Sequence, residues 1–398
     1  MSQQLPWLSG ALDELQRAGL VRRRREVIPL TDGSCVVDGR RLIDFASNDY
    51  LGLARDPRLI AAATKATQEA GTGASASALV CGRTEWHAEL ERRLSEFEGQ
   101  PTAILFPSGY AANVGTIAAL AESNDVVFSD RFNHASLIDG CRLSGANVRI
   151  YRHDDLVGLE RELVDLTDAR RRFIVTDSVF SMDADLAPLA DLCDIAERHD
   201  ATLIVDEAHA TGVFGERGRG VAELQHVETR IAVRIGTLSK AIGSQGGFVA
   251  GSAELVDWLW NKARTQMFST ALTPAACAAA TAALTVIADE PFRREELSKR
   301  ATDLRRSLID AGLQVPGELT CPIVPVIVGD PEATVASAAR LEERGFLVGA
   351  IRPPTVPEGT SRLRIVLHAT HTADQIASLS AAVCETCRVP GWIKSGTG

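Results

Sequence analysis

Residues 234–251 read RIGTLSKAIGSQGGFVAG, and they decide the fold prediction because an apolar run ends there in Thr-Leu-Ser-Lys and continues into glycines. Such a run, bounded by small residues, is typical of a buried strand. Gly243, Gly246 and Gly247 provide backbone that a bulky group can approach closely. Lys240 is therefore expected at the carboxyl end of a strand, where open α/β sheets bind their ligands.

A second strand-like run, TLIVDEAH at residues 202–209, interrupts its buried apolar pattern with Asp206, Glu207 and His209. A charge at the end of a buried strand needs a partner, so we expect a lysine from one strand and an aspartate from another to meet. From about residue 58, β-rich runs alternate with helix-length stretches. This alternation predicts an α/β fold with a large, mostly parallel sheet covered on both faces. The β-rich runs are residues 102–106, 126–129, 148–151, 173–177, 202–206, 231–237 and 248–250.

The chain of 398 residues is long for one domain, and its rhythm predicts three parts. Residues 1–47 are predicted to be an N-terminal arm that cannot fold alone. Residues 48–290 form the large α/β domain, and a change of rhythm near Pro291 predicts a smaller C-terminal α/β domain over residues 291–398. The arm contains four consecutive arginines from Arg22, which are either a solvated face or an anion-binding group.

Composition narrows the class of protein. A net charge of −10 argues against nonspecific nucleic-acid binding. No apolar run approaches the roughly 20 residues needed to span a bilayer, and the N-terminal sequence lacks a secretory signal, so we expect a cytoplasmic protein without membrane contact. The eight cysteines are scattered, which favours reduced thiols. The Cys384-x-x-Cys387 pair lacks a second ligand pair, so no metal site is predicted.

Lys240 can act as an amine nucleophile or a base only if burial or neighbouring charges lower its pKa. The alternative is a surface lysine at the beginning of a helix. Asp206 favours the chemical interpretation, because an aspartate beneath an aromatic nitrogen keeps it protonated, as pyridoxal phosphate requires to accept electrons. The alternative for Asp206 is the N-cap of the next helix.

Four further positions could complete a site for such a cofactor. His209 could hydrogen-bond the phenolic oxygen, and the Ser108-Gly109-Tyr110 turn would offer free backbone N–H groups to a phosphate at a helix N-terminus. His134 is either a structural histidine or an aromatic platform. Arg362 and Arg364 alternate along one face of a strand, so one of them could clamp a carboxylate, or both form an exposed face.

Together these motifs resemble the α-oxoamine synthases, a family of fold-type I pyridoxal phosphate enzymes, and the resemblance runs from about Arg22 to Arg364. In combination they are highly specific. The matching motifs are SNDYLGL (47–53), Ser-Gly-Tyr (108–110), NHAS (133–136), VFSMDAD (179–185), VDEAHATGVFGERGRG (205–220), TLSKA (237–241) and IRPPTVPEGTSRLRI (351–365).

The resemblance implies a role for each matched residue. Lys240 would carry the cofactor and move the substrate's Cα proton, Asp206 would pair with the ring nitrogen, and His134 would stack on the ring. The remaining implied contacts are Ser181 and His209 to the ring's polar edge; Gly109, Tyr110, Thr237 and Ser239 to the phosphate; Asn48 and Arg364 to the amino-acid carboxylate; and Arg22 and Thr355 to the substrate.

The SNDYLGL and RPPTVPEGTSRLR segments are similar to those of members that condense L-alanine with a pimeloyl thioester, carried on CoA or on a carrier protein. The resemblance also implies a homodimer. One segment departs from the family pattern: residues 71–82 read GTGASASALVCG where a more glycine-rich stretch is expected, which bears on acyl-chain selectivity.

Two alternatives stay open. A sister enzyme would use glycine and a short acyl-CoA. A noncatalytic nucleotide-binding α/β protein is disfavoured, because no G-x-G-x-x-G follows the first strand-like run and Lys240 would have no task.

Overall fold

The structure is a computed structural model that describes residue 5 and residues 7–17, 19–22, 24–166 and 169–387. The strands are β1 (Val27–Pro29), β2 (Ser34–Val37), β3 (Arg40–Phe45), β4 (Thr102–Phe106), β5 (Val126–Asp130), β6 (Asn147–Tyr151), β7 (Arg172–Asp177), β8 (Ala201–Asp206), β9 (Val233–Thr237), β10 (Gly247–Gly251), β11 (Ile323–Gly329), β12 (Phe346–Ile351) and β13 (Ser361–Val366). The α-helices are α1 (Trp7–Arg17), α2 (Pro57–Ala70), α3 (Glu85–Glu98), α4 (Gly109–Leu120), α5 (Ala135–Ser144), α6 (Leu156–Val164), α7 (Leu189–Arg198), α8 (Val221–Leu224), α9 (Ala253–Lys262), α10 (Arg264–Met267), α11 (Pro274–Asp289), α12 (Phe292–Asp310), α13 (Pro331–Glu343) and α14 (Ala373–Cys387), and a π-helix spans Ala78–Gly82.

The larger sheet has seven strands in the order β4-β10-β9-β8-β7-β5-β6. β6, β5, β7, β8 and β9 are parallel, whereas β10 is antiparallel to both β9 and β4. The prediction of a mostly parallel sheet is confirmed. Because the parallel strands end at one edge, Asp206 of β8 pairs in register with Asp177 of β7, and Thr237 of β9 ends beside them.

Side chains of β8 show that this sheet is covered on both faces, as predicted. Leu203 and Val205 belong to one hydrophobic core and Ile204 to another. Successive side chains of a strand point to opposite faces, so each face of β8 is packed under its own layer. α4 contributes to the core that contains Ile204, and α11 to the core on the other face.

The smaller sheet has six strands in the order β1-β2-β3-β12-β13-β11. β3 pairs in parallel with β12, so residues of the predicted N-terminal arm share a sheet with strands of the C-terminal part. This pairing was not predicted, because β3 is short and lies about 300 residues before β12. The domain limits at residues 47 and 290 stay predictions.

The glycines that follow Lys240 allow two close backbone contacts within the chain. A Cβ at Gly247 would lie 2.5 Å from the carbonyl oxygen of Ser108, and one at Gly243, which has a φ of 69°, would lie 2.5 Å from the backbone nitrogen of Ala54. Any larger residue would displace backbone at both places. The glycines therefore hold the Lys240 segment against the 108–109 turn and the SNDYLGL segment.

Within the described ranges, no single helix is long and apolar enough to cross a bilayer. α11 and α12 meet those criteria only when taken together, and a bend of 76° separates them. α11 is instead packed in the core of the fold, where Cys277, Ala280 and Ala283 are fully buried.

Candidate active site

The carboxyl ends of β7, β8 and β9 gather the charged residues of the site. Asp177 and Asp206 end neighbouring strands, and Lys240 follows the end of β9 by three residues. The two carboxyl groups are buried, and Lys240 is half-buried. Its Nζ forms no hydrogen bond or ion pair with any residue that the structure describes, so this amine is available to a ligand.

Burial lowers the pKa of Lys240 from 10.5 to about 8. The negative charges of Asp206 and Asp177 oppose this change, whereas the positive charge of Arg364 adds to it. About one tenth of the amine is therefore unprotonated at pH 7, several hundred times the share expected at a pKa of 10.5, and the unprotonated form is the nucleophile. No helix begins at Lys240, so the alternative of a surface lysine at a helix start is wrong.

Both carboxylate oxygens of Asp206 are held by hydrogen bonds. Oδ1 accepts the backbone N–H of Ala208 at 2.7 Å, and Oδ2 accepts the side-chain amide of Asn113 at 2.6 Å. Turns follow Asp206, and the next helix begins only at Val221, so the helix N-cap alternative is wrong. The carboxylate is instead fixed in orientation at the end of its strand.

Asp177 is a site residue that the sequence analysis missed. Its Oδ2 accepts the backbone N–H of His134 at 2.6 Å, and its own N–H donates to Oδ1 of Asn133. Burial, and then the nearby charge of Asp206, raise the pKa of Asp177 well above its usual value. The carboxyl groups of Asp177 and Asp206 thus share one buried region. Asp177 belongs to the site because β7, which it ends, pairs with β8.

His134 immediately precedes α5, and its side chain is exposed. Nδ1 of His134 lies 2.7 Å from Oγ of Ser136. Burial of the imidazole lowers the pKa of His134, with Asp206 opposing and Lys240 adding to the effect. The ring is therefore neutral near pH 7 and has an open face, as a platform for an aromatic ligand requires.

His209 is buried on the other side of Lys240. Its Nδ1 lies 2.6 Å from the hydroxyl of Tyr50, a contact that the sequence analysis did not identify although Tyr50 belongs to the SNDYLGL motif. Burial, followed by the charges of Lys240 and Arg364, holds the pKa of His209 well below its usual value. His209 is a neutral hydrogen-bonding group in this site.

The 108–110 turn and the end of β9 lie against each other. Ser108 caps α4 by accepting the N–H of Ala111, and a Cβ at Gly109 would lie 3.1 Å from Oγ1 of Thr237. Oγ1 of Thr237 is also 2.9 Å from Oγ of Ser239. Hydroxyl groups and free N–H groups at a helix N-terminus thus converge, which suits a phosphate.

Tyr110 contributes to this turn only through its backbone. Its side chain is half exposed, and its hydroxyl donates to Oδ2 of Asp139 at 2.6 Å. The phenol is therefore engaged with α5, and the N–H group is the part of Tyr110 that faces the predicted phosphate position.

Arg364 is bonded to two other predicted site residues, Ser181 and Asn48. Its Nε donates to the carbonyl oxygen of Ser181 at 2.8 Å, and Nη1 and Nη2 both donate to Oδ1 of Asn48 at 3.2 Å. Further N–H groups on Nη1 and Nη2 stay available for a carboxylate. Arg362 and Arg364 are both buried, so the alternative of an exposed strand face is wrong.

The segments that contain Arg22 and Thr355 are joined through Arg352. Nη2 of Arg352 donates to the carbonyl oxygen of Val21, and the N–H of Thr355 donates to the carbonyl oxygen of Arg352. Both predicted residues are exposed, and no hydrogen bond among the described residues connects them to Lys240 or Asp206. Arg25, from the same arginine run, pairs instead with Glu342 and Asp38.

Comparison with known proteins gives matches over most of the chain. The family model described as aminotransferase class I and II matches residues 40–383. An 8-amino-7-oxononanoate synthase of Anaeromyxobacter dehalogenans is 47% identical over 95% of this chain and 95% of its own length.

Two solved structures have similar folds. A serine palmitoyltransferase from S. paucimobilis with bound PLP has a TM-score of 0.92 and 31% identity, covering 97% of this chain and 99% of that one. An 8-amino-7-oxononanoate synthase from Francisella tularensis has a TM-score of 0.75 and 29% identity, covering 86% of this chain and 97% of the other.

Proposed function

Because this chain belongs to the class I and II aminotransferase family and to its 8-amino-7-oxononanoate synthase branch, we propose that it condenses L-alanine with a pimeloyl thioester in biotin synthesis. The products are 8-amino-7-oxononanoate, carbon dioxide and the free thiol. The observation that carries the proposal is the position of Lys240, whose pKa is about 8, between Asp206 and Arg364. This arrangement suits an amino acid that must lose a Cα proton while its carboxylate is held.

The residues present fit pyridoxal phosphate. The 108–110 turn with Thr237 and Ser239 would supply donors for the phosphate, and a Cβ at Gly109 would be in tight contact, 3.1 Å, with Oγ1 of Thr237. Asp206 would hold the proton of the ring nitrogen, and His134 has an open face for stacking. When bound, the cofactor supplies an electron sink for the bonds at Cα.

Lys240 has two tasks in this proposal. Its amine would hold the cofactor covalently. As a free amine, Nζ would accept the Cα proton of L-alanine, and the lowered pKa of Lys240 suits this transfer near neutral pH. His209, neutral and fixed by Tyr50, would donate or accept a hydrogen bond at the ring's oxygen.

Arg364 and Asn48 would hold the carboxylate of L-alanine. Ser181 and Asn48 orient the guanidinium from two sides, so that its remaining N–H groups have a fixed direction. The new bond forms between Cα and the thioester carbonyl carbon, and the thiolate leaves. The bond from Cα to the carboxylate then breaks, which releases carbon dioxide, and a proton replaces it.

Arg22 and Thr355 would contact the acyl donor. The bond from Arg352 to the Val21 carbonyl brings the segment of Arg22 to the segment of Thr355 and supports this assignment, because the far carboxylate of a pimeloyl chain requires a cationic partner at a distance from Cα. The acyl group would arrive on CoA or on a carrier protein.

We also propose that the protein is cytoplasmic and that two copies of the chain form a homodimer. Ser77 and Thr270 form an isolated bridge that brings two segments together, and each segment exposes a large apolar side chain near it. Val80 is 77% exposed and Phe268 is 69% exposed. Such neighbouring apolar groups favour burial against a second copy.

The test compares amino acids and thioesters with purified protein loaded with pyridoxal phosphate. L-alanine with pimeloyl-CoA should give 8-amino-7-oxononanoate and one equivalent of carbon dioxide, identified by mass spectrometry. Glycine with succinyl-CoA or acetyl-CoA, and L-serine with palmitoyl-CoA, are the competing pairs. Faster turnover of any competing pair would reject the proposed substrates while leaving the reaction class intact.

A further inference from the structure

A continuous chain of hydrogen bonds connects the exposed His134 to the buried Asp206. Nδ1 of His134 is 2.7 Å from Oγ of Ser136, and Nδ2 of Asn113 donates to the same Oγ at 2.8 Å. Nδ2 of Asn113 also donates to Oδ2 of Asp206 at 2.6 Å. Asn113 is 2% exposed and Ser136 is 1% exposed, so water does not compete for the two contacts of the Asn113 amide.

We propose that Asn113 and Ser136 are positioning residues which hold His134 in the tautomer with its proton on Nε2 and fix the carboxylate plane of Asp206. The proposal rests on the proposed function, because it assigns these residues to the two side chains that would lie above and beneath the cofactor ring.

Chemistry sets the direction of each hydrogen bond in this chain. An ionised Asp206 only accepts, so the atom of Asn113 that faces it must be the amide nitrogen. The second hydrogen of that nitrogen then points to Ser136, whose Oγ accepts it. The single proton of the Ser136 hydroxyl is left for Nδ1 of His134, and the backbone N–H of Ser136 also points to Nδ1 at 3.3 Å.

Nδ1 of His134 is therefore an acceptor from two donors and carries no proton. In a neutral imidazole the proton must then be on Nε2. Burial of the ring, which lowers the pKa of His134, favours this neutral state. Lys240 acts in the same direction, whereas Asp206 and Asp139 oppose it.

One unpaired atom shows that the orientation of Asn113 is imposed. Its Oδ1 is buried and has no hydrogen-bond partner in the described part of the chain. A buried acceptor without a partner costs free energy, so the amide would turn if its other face did not bind Asp206 and Ser136. The hydrogen bonds to Asp206 and Ser136 therefore fix the orientation of the Asn113 amide, although its Oδ1 is left without a partner.

The hydrogen-bond network affects both His134 and Asp206. A neutral His134 stacks on a protonated ring without charge repulsion and presents its Nε2–H as a hydrogen-bond donor. Oδ1 of Asp206 is held by the Ala208 N–H and Oδ2 by Asn113, so the carboxylate cannot rotate. Both groups are thereby preorganised before the cofactor binds.

The test uses Asn113→Leu and Ser136→Ala in the cofactor-loaded enzyme, with Thr116→Val as the matched control. Thr116 is a buried residue one turn further along α4, and its hydroxyl has no partner among the described residues. Long-range ¹H–¹⁵N NMR of histidine-labelled protein reports which nitrogen of His134 carries the proton, and a titration reports the Kd of pyridoxal phosphate.

We expect the Nε2–H tautomer in the unmodified protein and in Thr116→Val, and a mixture of tautomers in the other two variants. In those two, kcat should fall about 10- to 100-fold and the Kd of the cofactor should rise, while KM for L-alanine changes less than about threefold, because Arg364 and Asn48 are untouched. If Asn113→Leu does not fold, Ser136→Ala gives the same readings.

A protonated Nδ1 in the unmodified protein would overturn the proposal. So would an unchanged tautomer and kcat in both variants. The NMR signals do not depend on which substrates are turned over. A protein that has the Nε2–H tautomer but forms no 8-amino-7-oxononanoate would therefore contradict the proposed function and leave this inference standing.

Discussion

Replacement of Lys240 by methionine should stabilise the cofactor-free protein near neutral pH. The pKa of Lys240 is about 8 in the native protein, compared with 10.5 in the unfolded chain. Between pH 8 and pH 10.5 the unfolded chain therefore binds more protons than the native protein. The stability of the unmodified protein consequently rises with pH across this range. Below pH 8 the protonated lysine costs its full amount, about 3.5 kcal/mol at about 1.4 kcal/mol per pKa unit. Solvent at the half-buried side chain screens part of this cost, which leaves about 2 kcal/mol.

Urea unfolding of cofactor-free protein at several pH values measures this difference. Lys240→Met should exceed the unmodified protein by about 2 kcal/mol at pH 7, and the advantage should disappear as the pH approaches 10.5. The matched control is Lys299→Met, which removes an exposed lysine from α12 and should have little effect at any pH. A Lys240→Met protein that is less stable at pH 7, or whose difference does not change with pH, would refute the reasoning.

Three further changes test other parts of the structure. Gly247→Ala places a Cβ 2.5 Å from the Ser108 carbonyl oxygen and should raise the Kd of pyridoxal phosphate at least about tenfold in a fluorescence titration without loss of the fold seen by circular dichroism; unchanged affinity would contradict the close contact. Arg364→Lys should raise KM for L-alanine about 10- to 100-fold in steady-state kinetics, because an ammonium cannot replace the guanidinium fork, and an unaltered KM would remove its proposed role. Arg234→Met leaves the buried Glu98, 3.1 Å from the arginine, without its cation and should lower the free energy of unfolding by about 3–5 kcal/mol in urea, whereas the double change with Glu98→Leu should recover most of that loss.

The strands of the large sheet were predictable because parallel strands buried on both faces are continuous apolar runs. β4 has the predicted limits, and β8 differs from its prediction by a single residue. The pairing of β3 with β12 was not predictable, because short strands with exposed residues give little periodic signal and nothing in a single sequence specifies a partner about 300 residues away.

Site residues were predictable where a charged side chain stands at the end of an apolar strand-like run, as Lys240 and Asp206 do. Asn113 was missed because it lies inside an apolar helix that contains no other charged or amide side chain. That isolation was nevertheless a signal, since a buried amide needs a partner. Tyr50 and Asp177 required the three-dimensional pairing of segments far apart in the chain.

For the glycines after Lys240, the sequence predicted a close contact without identifying the contacting group. Gly243, Gly246 and Gly247 indicate that a bulky group or another backbone segment lies close to the chain after Lys240. The structure identifies the neighbours of Gly243 and Gly247 as backbone of the same chain, at Ala54 and Ser108. The motif around the lysine is thus also a packing motif that connects three segments of the site.

The most direct measurement of the central claim is the position at which the cofactor is attached. Protein loaded with pyridoxal phosphate should absorb visible light, and borohydride should fix the pyridoxyl group to the peptide that contains Lys240, as read by tandem mass spectrometry. Lys240→Ala should bind the cofactor without any fixed label. A pyridoxyl group on another lysine, or a protein that takes up no pyridoxal phosphate, would contradict the account.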